Sequence, residues 1–262
     1  MKGPVEITLH PARLSLDERP RRRRVGLVVL ATDHSSEPDF ARMVASEGIA
    51  VHAARIPYAN PTTPENLRKM QPHLSEGAAL ILPGETLDAV CFSCTSASVV
   101  IGDAAIEAAI RQAKPDAAVV TPPLAAAKGL RAMGARRISV LTPYTTETSR
   151  PMARYFTEKG FAIDRFTCLG LEDDREMARI RPDALVDLAR EVTDPRSDAL
   201  FISCTALRAA GAVPRIEQAI GRPAISSNQA SAWEMLRICG EDASHPEWGH
   251  LMTLPRPAEE RA

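Results

Sequence analysis

Aromatic residues make up only 4% of this 262-residue sequence, and no stretch approaches the roughly 20 consecutive apolar residues that a membrane span needs. The N-terminus has no apolar segment of signal-peptide length. Charge is nearly balanced, at −1 net, so no overall field points toward nucleic acid or an anionic membrane. The six histidines are scattered without ligand spacing, and neither GxGxxG nor GxxxxGKS/T follows an apolar run, so metal and nucleotide chemistry have no signature. Cysteine is also scarce: five residues, an odd number in a chain of this length, do not make a disulfide framework. These absences predict a soluble, cytoplasmic protein with free thiols and no cofactor, metal or nucleic-acid partner.

What is present is a regular alternation. Apolar runs that read as strands cover 25–30, 49–56, 87–92, 117–120, 137–141, 161–166, 199–202 and 224–225. Between them lie amphipathic segments that read as helices: 37–46, 64–79, 99–111, one starting at Pro122, then 148–159, 182–191, 214–220 and 230–238. Continuous apolar strands are buried on both faces, and strand–helix alternation predicts an α/β fold with parallel sheets covered by helices. Residues 1–24, with three prolines and the Arg21–Arg24 run, read as a solvated arm or a segment packed on a partner subunit; 241–262 read as a tail.

The alternation contains a repeat. "FARMVASEGIAV" from Phe40 aligns with "MARYFTEKGFAI" from Met152, and "IEAAI" from Ile106 aligns with "IEQAI" from Ile216. The offset of that second pair is the same 110 positions that separate Cys94 from Cys204, each in a Ser-Cys-Thr sequence that ends an apolar run. Two similar Rossmann-like α/β halves follow, 25–130 and 137–240, related by a pseudo-twofold, each ending its third strand in Ser-Cys-Thr. Ligands of open α/β sheets bind beyond the carboxyl ends of the strands. That rule places Cys94 and Cys204 across one cleft between the halves.

Two thiols on opposite faces of a small substrate can take a proton from one face and return it to the other. Alternatively, one adds to a carbon–carbon double bond while the other handles the proton. A thiol of pKa about 8.5 is only a few per cent thiolate at neutral pH. A helix N-terminus after each cysteine would ease ionisation and offer an anion site. The hydroxyls of Thr95, Ser96, Ser98 and Thr205 add donors there, which suits a small carboxylate.

These residues carry a resemblance. The paired Cys-Thr motifs, the Thr142-Pro143-Tyr144 turn and the two-half organisation resemble the aspartate/glutamate racemase superfamily, in the branch of maleate cis–trans isomerase and arylmalonate decarboxylase. "CFSCTSASVVIGD" and "LGLEDDREMARI" look most like the ectoine-utilisation protein EutA of that branch. The resemblance spans Arg24 to about Gly240 and implies a cofactor-independent enzyme, a homo-oligomer, acting on a small carboxylate. It implies Cys94 and Cys204 as catalytic thiols. It also implies Tyr144 as a contact of the substrate carboxylate, with Thr95, Ser96, Thr205 and Ala206 beside it. Asp33, in "ATDHSSE", and Asp174, in "LEDDRE", stand where maleate isomerases carry asparagine. Acidic side chains beside the cysteines are a feature of the amino-acid racemases, so both aspartates join the catalytic set. The alternative for each loop is that Asp33 or Asp173 caps the next helix.

The main expectation is a two-cysteine racemase or isomerase. A maleate-type cis–trans isomerase is the alternative, followed by a decarboxylase, which needs one thiol, or a two-lobed carboxylate-binding protein. Cys91 forms a CxxC with Cys94 but sits inside a strand, where it reads as core; Cys168 and Cys239 read as packing residues. His34 is either a base or a solvent-facing neighbour, and Thr121 is expected to line the cleft.

Overall fold

The computed structural model describes residues 5–241 and 244–255. The first half comprises β1 (Arg24–Leu30), α1 (Ser36–Met43), β2 (Ala50–Ile56), α2 (Pro64–Arg68), α3 (Leu74–Leu80), β3 (Ala89–Phe92), α4 (Thr95–Ile101), α5 (Asp103–Ala113), β4 (Ala118–Val120) and α6 (Pro122–Ala132). The second comprises β5 (Arg137–Tyr144), α7 (Thr146–Glu158), β6 (Ala162–Leu171), α8 (Asp174–Met177), α9 (Pro182–Val192), β7 (Ala199–Ile202), α10 (Val213–Ile220), β8 (Ala224–Ser226) and α11 (Ser227–Ile238).

Each half builds a four-stranded parallel sheet, in the order β2-β1-β3-β4 and β6-β5-β7-β8. The two orders are the same, and β7 follows β3 at the 110-residue offset of the two cysteines. This is the expected α/β protein of two Rossmann-like halves. Both central strands of each sheet are apolar because both faces are covered: every residue of β1, β3 and β7 is buried. In the order 2-1-3-4 the connections leave β1 and β3 in opposite directions, so a crevice opens at their carboxyl ends. The same holds for β5 and β7. The fold therefore aims four loop starts, after Leu30, Phe92, Tyr144 and Ile202, at one region.

The halves are joined through helices. α6 and α11 pack on each other, with α6 reaching β8 and α11 reaching β3 and β4. One continuous apolar core runs from Val25, Leu27 and Val29 through Ala126 and Leu130 to Phe201, Trp233 and Leu236. A second cluster, including Val28, Leu74, Phe92 and Ile106, fills the other face of the first sheet. There α3 approaches closely at Gly77, where a Cβ would lie 2.5 Å from Ile56 Cγ2.

Several element boundaries differ from expectation. The helix expected over 99–111 is two helices broken at Gly102, whose φ of +95° ends α4; α4 therefore begins directly after Cys94. The 64–79 segment breaks into α2 and α3 around a short 3-10 turn. The strand expected over 161–166 continues to Leu171, and α8 follows it. Arg24 belongs to β1 and is buried, so the body begins at the residue expected to end the arm. Residues 5–22 are exposed and without regular structure. Residues 244–255 fold back, seating Leu251 and Met252 in the core. The remaining ends of the arm and tail, 1–4 and 256–262, lie outside the described residues. Among the described residues no helix is long and apolar enough to cross a membrane, and no group of three or more His, Cys, Asp or Glu is placed to hold a metal.

Candidate active site

Cys94 follows β3 and is the N-cap residue of α4. Its thiol lies 3.8 Å from Ser96 Oγ and faces the Ala97 N–H. Cys204 follows β7, and its backbone takes a φ of +110°. No helix follows it; the chain turns instead, and the N–H groups of Ala206 and Leu207 face its sulfur. The expected helix N-terminus thus exists at the first thiol only, while tight turns supply the equivalent donors at the second.

Both sulfurs line one small cavity, with about 320 Å³ of empty volume. Its walls include Asp33, Tyr58, Thr62, Ser96, Tyr144, Asp174, Thr205 and Ala206, closed by Leu30, Leu67 and Met177. The 320 Å³ counts open space at the mouth; the enclosed room is about 20 Å³, little more than one water needs and too tight for a nucleotide. The structure therefore brings together Cys94, Cys204, Asp33, Asp174, Ser96, Tyr144, Thr205 and Ala206. Two expectations do not hold geometrically. Thr95 turns its hydroxyl away, donating to Ser227 Oγ at 2.8 Å. Thr121 donates to Asp103 Oδ1 at 2.7 Å and does not line the cavity. Of the two readings of His34, the structure has the solvent-facing one: the side chain is exposed, outside the cavity wall.

The two aspartates are held differently. Asp33 Oδ1 accepts the Ser35 and Ser36 N–H groups at 2.9 and 2.7 Å, and its Oδ2 accepts Ser36 Oγ at 2.8 Å. It caps the start of α1 and lines the cavity at once, so both readings of this loop are present in one side chain. Burial raises its pKa above the usual carboxylate range, against the opposing pull of those donors. In the other loop the roles are split. Asp173 caps α8 and pairs with Arg175, while Asp174 points into the cavity. Asn60 Nδ2 donates to Asp174 Oδ1 at 2.8 Å and to Asp173 Oδ1 at 2.9 Å. The Asp174 N–H donates back to Asn60 Oδ1 at 3.2 Å, and Thr32 Oγ1 donates to Asp174 Oδ2.

The thiols are shifted strongly. Burial pushes Cys94 up to about 12, and Ala97 N–H and the Ser96 hydroxyl only partly offset it. Burial pushes Cys204 up to about 11, moderated by the Tyr144 hydroxyl and the two turn N–H groups. The negative charge of Asp174 opposes ionisation of both. Tyr144 is itself held well above its ordinary value by burial, so at neutral pH it is a hydrogen-bond donor. Among the described residues no Lys, Arg or His lines the cavity. Arg55 acts on Asp33 from outside it and is spent on the carbonyls of Leu30, Ala31 and Asp33 and on Glu37.

Tyr58, Asn60 and Thr62 were not foreseen. They lie in "PYANPTTP" after β2, again at a carboxyl strand end, and the Thr62 N–H donates to Glu172 O at 2.7 Å to close the two loops together. The position of that loop in the alternation was the available signal; nothing in its residue types marks it.

This geometry has known counterparts. A family model described as arylmalonate decarboxylase matches residues 63–252. The arylmalonate decarboxylase of Bordetella bronchiseptica is 32% identical over 152 residues, 57% of this chain and 63% of that protein's length. The maleate isomerase of Alcaligenes faecalis is 22% identical over 249 residues, covering 89% of this chain and 98% of its own. In structure, the Nocardia farcinica maleate cis–trans isomerase carrying a covalently bound succinylcysteine intermediate superimposes with a TM-score of 0.82 at 24% identity. That match covers 88% of this chain and 98% of the other. With a model match over most of its length and two equivalent half-sheets presenting their loops to one cavity, the chain belongs to the arylmalonate decarboxylase family, within the aspartate/glutamate racemase superfamily.

Proposed function

We propose that this protein is a cofactor-independent isomerase that works on a small carboxylate held between Cys94 and Cys204. One observation carries the reading: thiols at the same position of two equivalent halves line one cavity. A decarboxylation delivers one proton and has no use for the second thiol. A binding protein has no use for either.

Within this reading the charge of the site favours proton transfer. The cavity has two carboxylates and, among the described residues, no cationic side chain, which disfavours a dicarboxylate such as maleate. A monocarboxylate that also bears an ammonium group would place that group near Asp174. Its carboxylate would take the hydroxyls of Ser96 and Tyr144, since that of Thr205 is given to Ser93 O. The proposed reaction is racemisation or epimerisation: one sulfur, as thiolate, takes the proton from carbon, and the other gives its proton to the opposite face. The roles of thiol and thiolate are exchanged at the end, so the cycle is balanced after one proton passes between them. Asp174, whose charge is felt at both sulfurs, is placed to carry that proton. A diamino acid derivative would be one substrate of this kind.

The second reading is cis–trans isomerisation, in which a Cys94 thiolate adds to a double bond, the single bond rotates and the thiolate leaves. The relatives back this reading better than they back racemisation: they include maleate isomerases, one with its succinylcysteine.

The two are separated in heavy water. Amino acids and their acylated derivatives should gain deuterium at the stereocentre as the opposite enantiomer appears, and Cys94→Ala and Cys204→Ala should each abolish interconversion. Turnover of an unsaturated diacid with a thioether adduct at Cys94, and inert amino acids, would replace racemisation by the second reading. Absence of both, with ligand affinity intact in the two alanine variants, would leave a binding protein.

A further inference from the structure

We propose that Ser227 is a positioning residue that ties the two cysteine loops into one unit and holds the Cys204 backbone in place; its meaning for catalysis rests on the two-thiol reading above. Ser227 is the first residue of α11, directly after β8, and is fully buried. Its Oγ accepts two hydrogen bonds, from Thr95 Oγ1 at 2.8 Å and from the Cys204 N–H at 3.0 Å. Thr95 is the residue after the first thiol, so one oxygen joins the neighbour of Cys94 to the backbone of Cys204.

That second bond falls where the chain most needs holding. A side-chain-bearing residue at φ +110° is in a region seldom populated, and such a conformation persists only when its surroundings fix it. Three further bonds hold the residues after Cys204. Asn228 Nδ2 donates to Thr205 O at 3.0 Å, Ser35 Oγ to Ala206 O at 2.7 Å, and Thr205 Oγ1 to Ser93 O at 3.1 Å. None of them touches the Cys204 N–H; Ser227 does. With that amide held, the following turn keeps the Ala206 and Leu207 N–H groups aimed at the sulfur. Nothing in "SSNQAS" distinguishes Ser227 from Ser226, which caps α11 and serves only its own helix.

The test is the rate of iodoacetamide alkylation, resolved by mass spectrometry at each cysteine and followed against pH. It requires no substrate, so it stands apart from the assays of turnover. The titratable groups facing Cys204 are Cys94, Asp33, Tyr58, Tyr144 and Asp174, and all remain in the variants. Ser227→Ala is expected to shift the Cys204 profile upward by about one unit, slowing its alkylation about tenfold below the midpoint, and Ser227→Thr to restore the wild-type profile. The core thiols Cys91 and Cys239 should stay unreactive throughout. Should Ser227→Ala expose Cys91, the comparison passes to Thr95→Val. That variant removes one donor to the bridge and should change the Cys94 rate more than the Cys204 rate. A Cys204 profile in folded Ser227→Ala that matches wild type would overturn the proposal. So would equal changes at all four thiols in Thr95→Val, or a Ser227→Thr variant no better than alanine.

Discussion

Replacing Asp174 by asparagine tests the electrostatics of the cavity directly. The wild-type thiols stand at about 12 and about 11, so ionising them at pH 7 costs about 7 and about 5 kcal/mol, against about 2 for an ordinary cysteine. Burial is the larger cause, and the Asp174 charge adds to it at both sulfurs. Two unit charges about 12 Å apart at an effective dielectric of about 20 repel by about 1.4 kcal/mol, or one pKa unit. Asp174 is the smallest of the named influences on each sulfur, so Asp174→Asn should lower both midpoints, by up to about one unit. Asparagine keeps the shape and can still accept from Thr32. Its Nδ2 and Oδ1 can reorient against Asn60, which itself offers both a donor and an acceptor. The readout is site-resolved alkylation between pH 7 and 11. At pH 8 wild-type Cys204 and Cys94 should react about 200-fold and about 2,000-fold more slowly than a free thiol, and the variant up to about tenfold faster than wild type at both. Wild-type thiols that titrate near 8.5 would refute the burial argument. Midpoints unmoved in the variant would mean that Asp174 carries no charge felt by the sulfurs, and would remove it as the proton carrier.

Four further outcomes are expected. Cys94→Ala and Cys204→Ala should each lower turnover by at least the 10²–10⁴-fold typical of acid–base assistance, with the fold unchanged by circular dichroism; full activity in either would end the two-thiol mechanism. The buried thiols also link stability to pH. Their folded pKa values are raised, for Cys91 and Cys239 to about 12 as well, so the native state holds protons that the unfolded chain loses above about 8.5. Stability is then full below that pH and falls as pH rises toward 11–12, by up to about 1.4 kcal/mol per unit per thiol, and Cys91→Ala should flatten the decline in Tm. Asp33 is raised in the same sense by burial, so Asp33→Asn should be less costly to stability at pH 7 than at pH 4, read from denaturation midpoints at the two values. Gly77→Ala should cost about 1–3 kcal/mol in chemical denaturation, because its Cβ would meet Ile56 Cγ2 at 2.5 Å; an unchanged midpoint would mean that α3 shifts freely on its sheet.

The sequence alone determined the fold class and the centre of the site. Strands buried on both faces are written as unbroken apolar runs, and a duplicated architecture leaves equal offsets, so Cys94 and Cys204 were legible as equivalent strand ends. Asp33 and Tyr144 were legible only through the family resemblance of their motifs, although the loops that carry them follow central strands. Helix breaks were less legible: Gly102 interrupts an otherwise helical run through its own positive φ, which composition does not announce. What only tertiary structure decided are matters of direction and dielectric. Thr95 and Ser96 are neighbours of one type, yet the helix that starts there turns one toward the cavity and the other toward Ser227. Asp173 and Asp174 likewise divide into cap and cavity wall by a single residue of helical phase. Only the docking of the halves brings Asn60 to Asp174 and Thr95 to Ser227, whereas the pairing of β8 with β7 sets Ser227 beside Cys204. The thiol pKa values moved opposite to the sequence expectation. Donor N–H groups can be foreseen from a motif, but the depth of burial that outweighs them is a property of the packed whole.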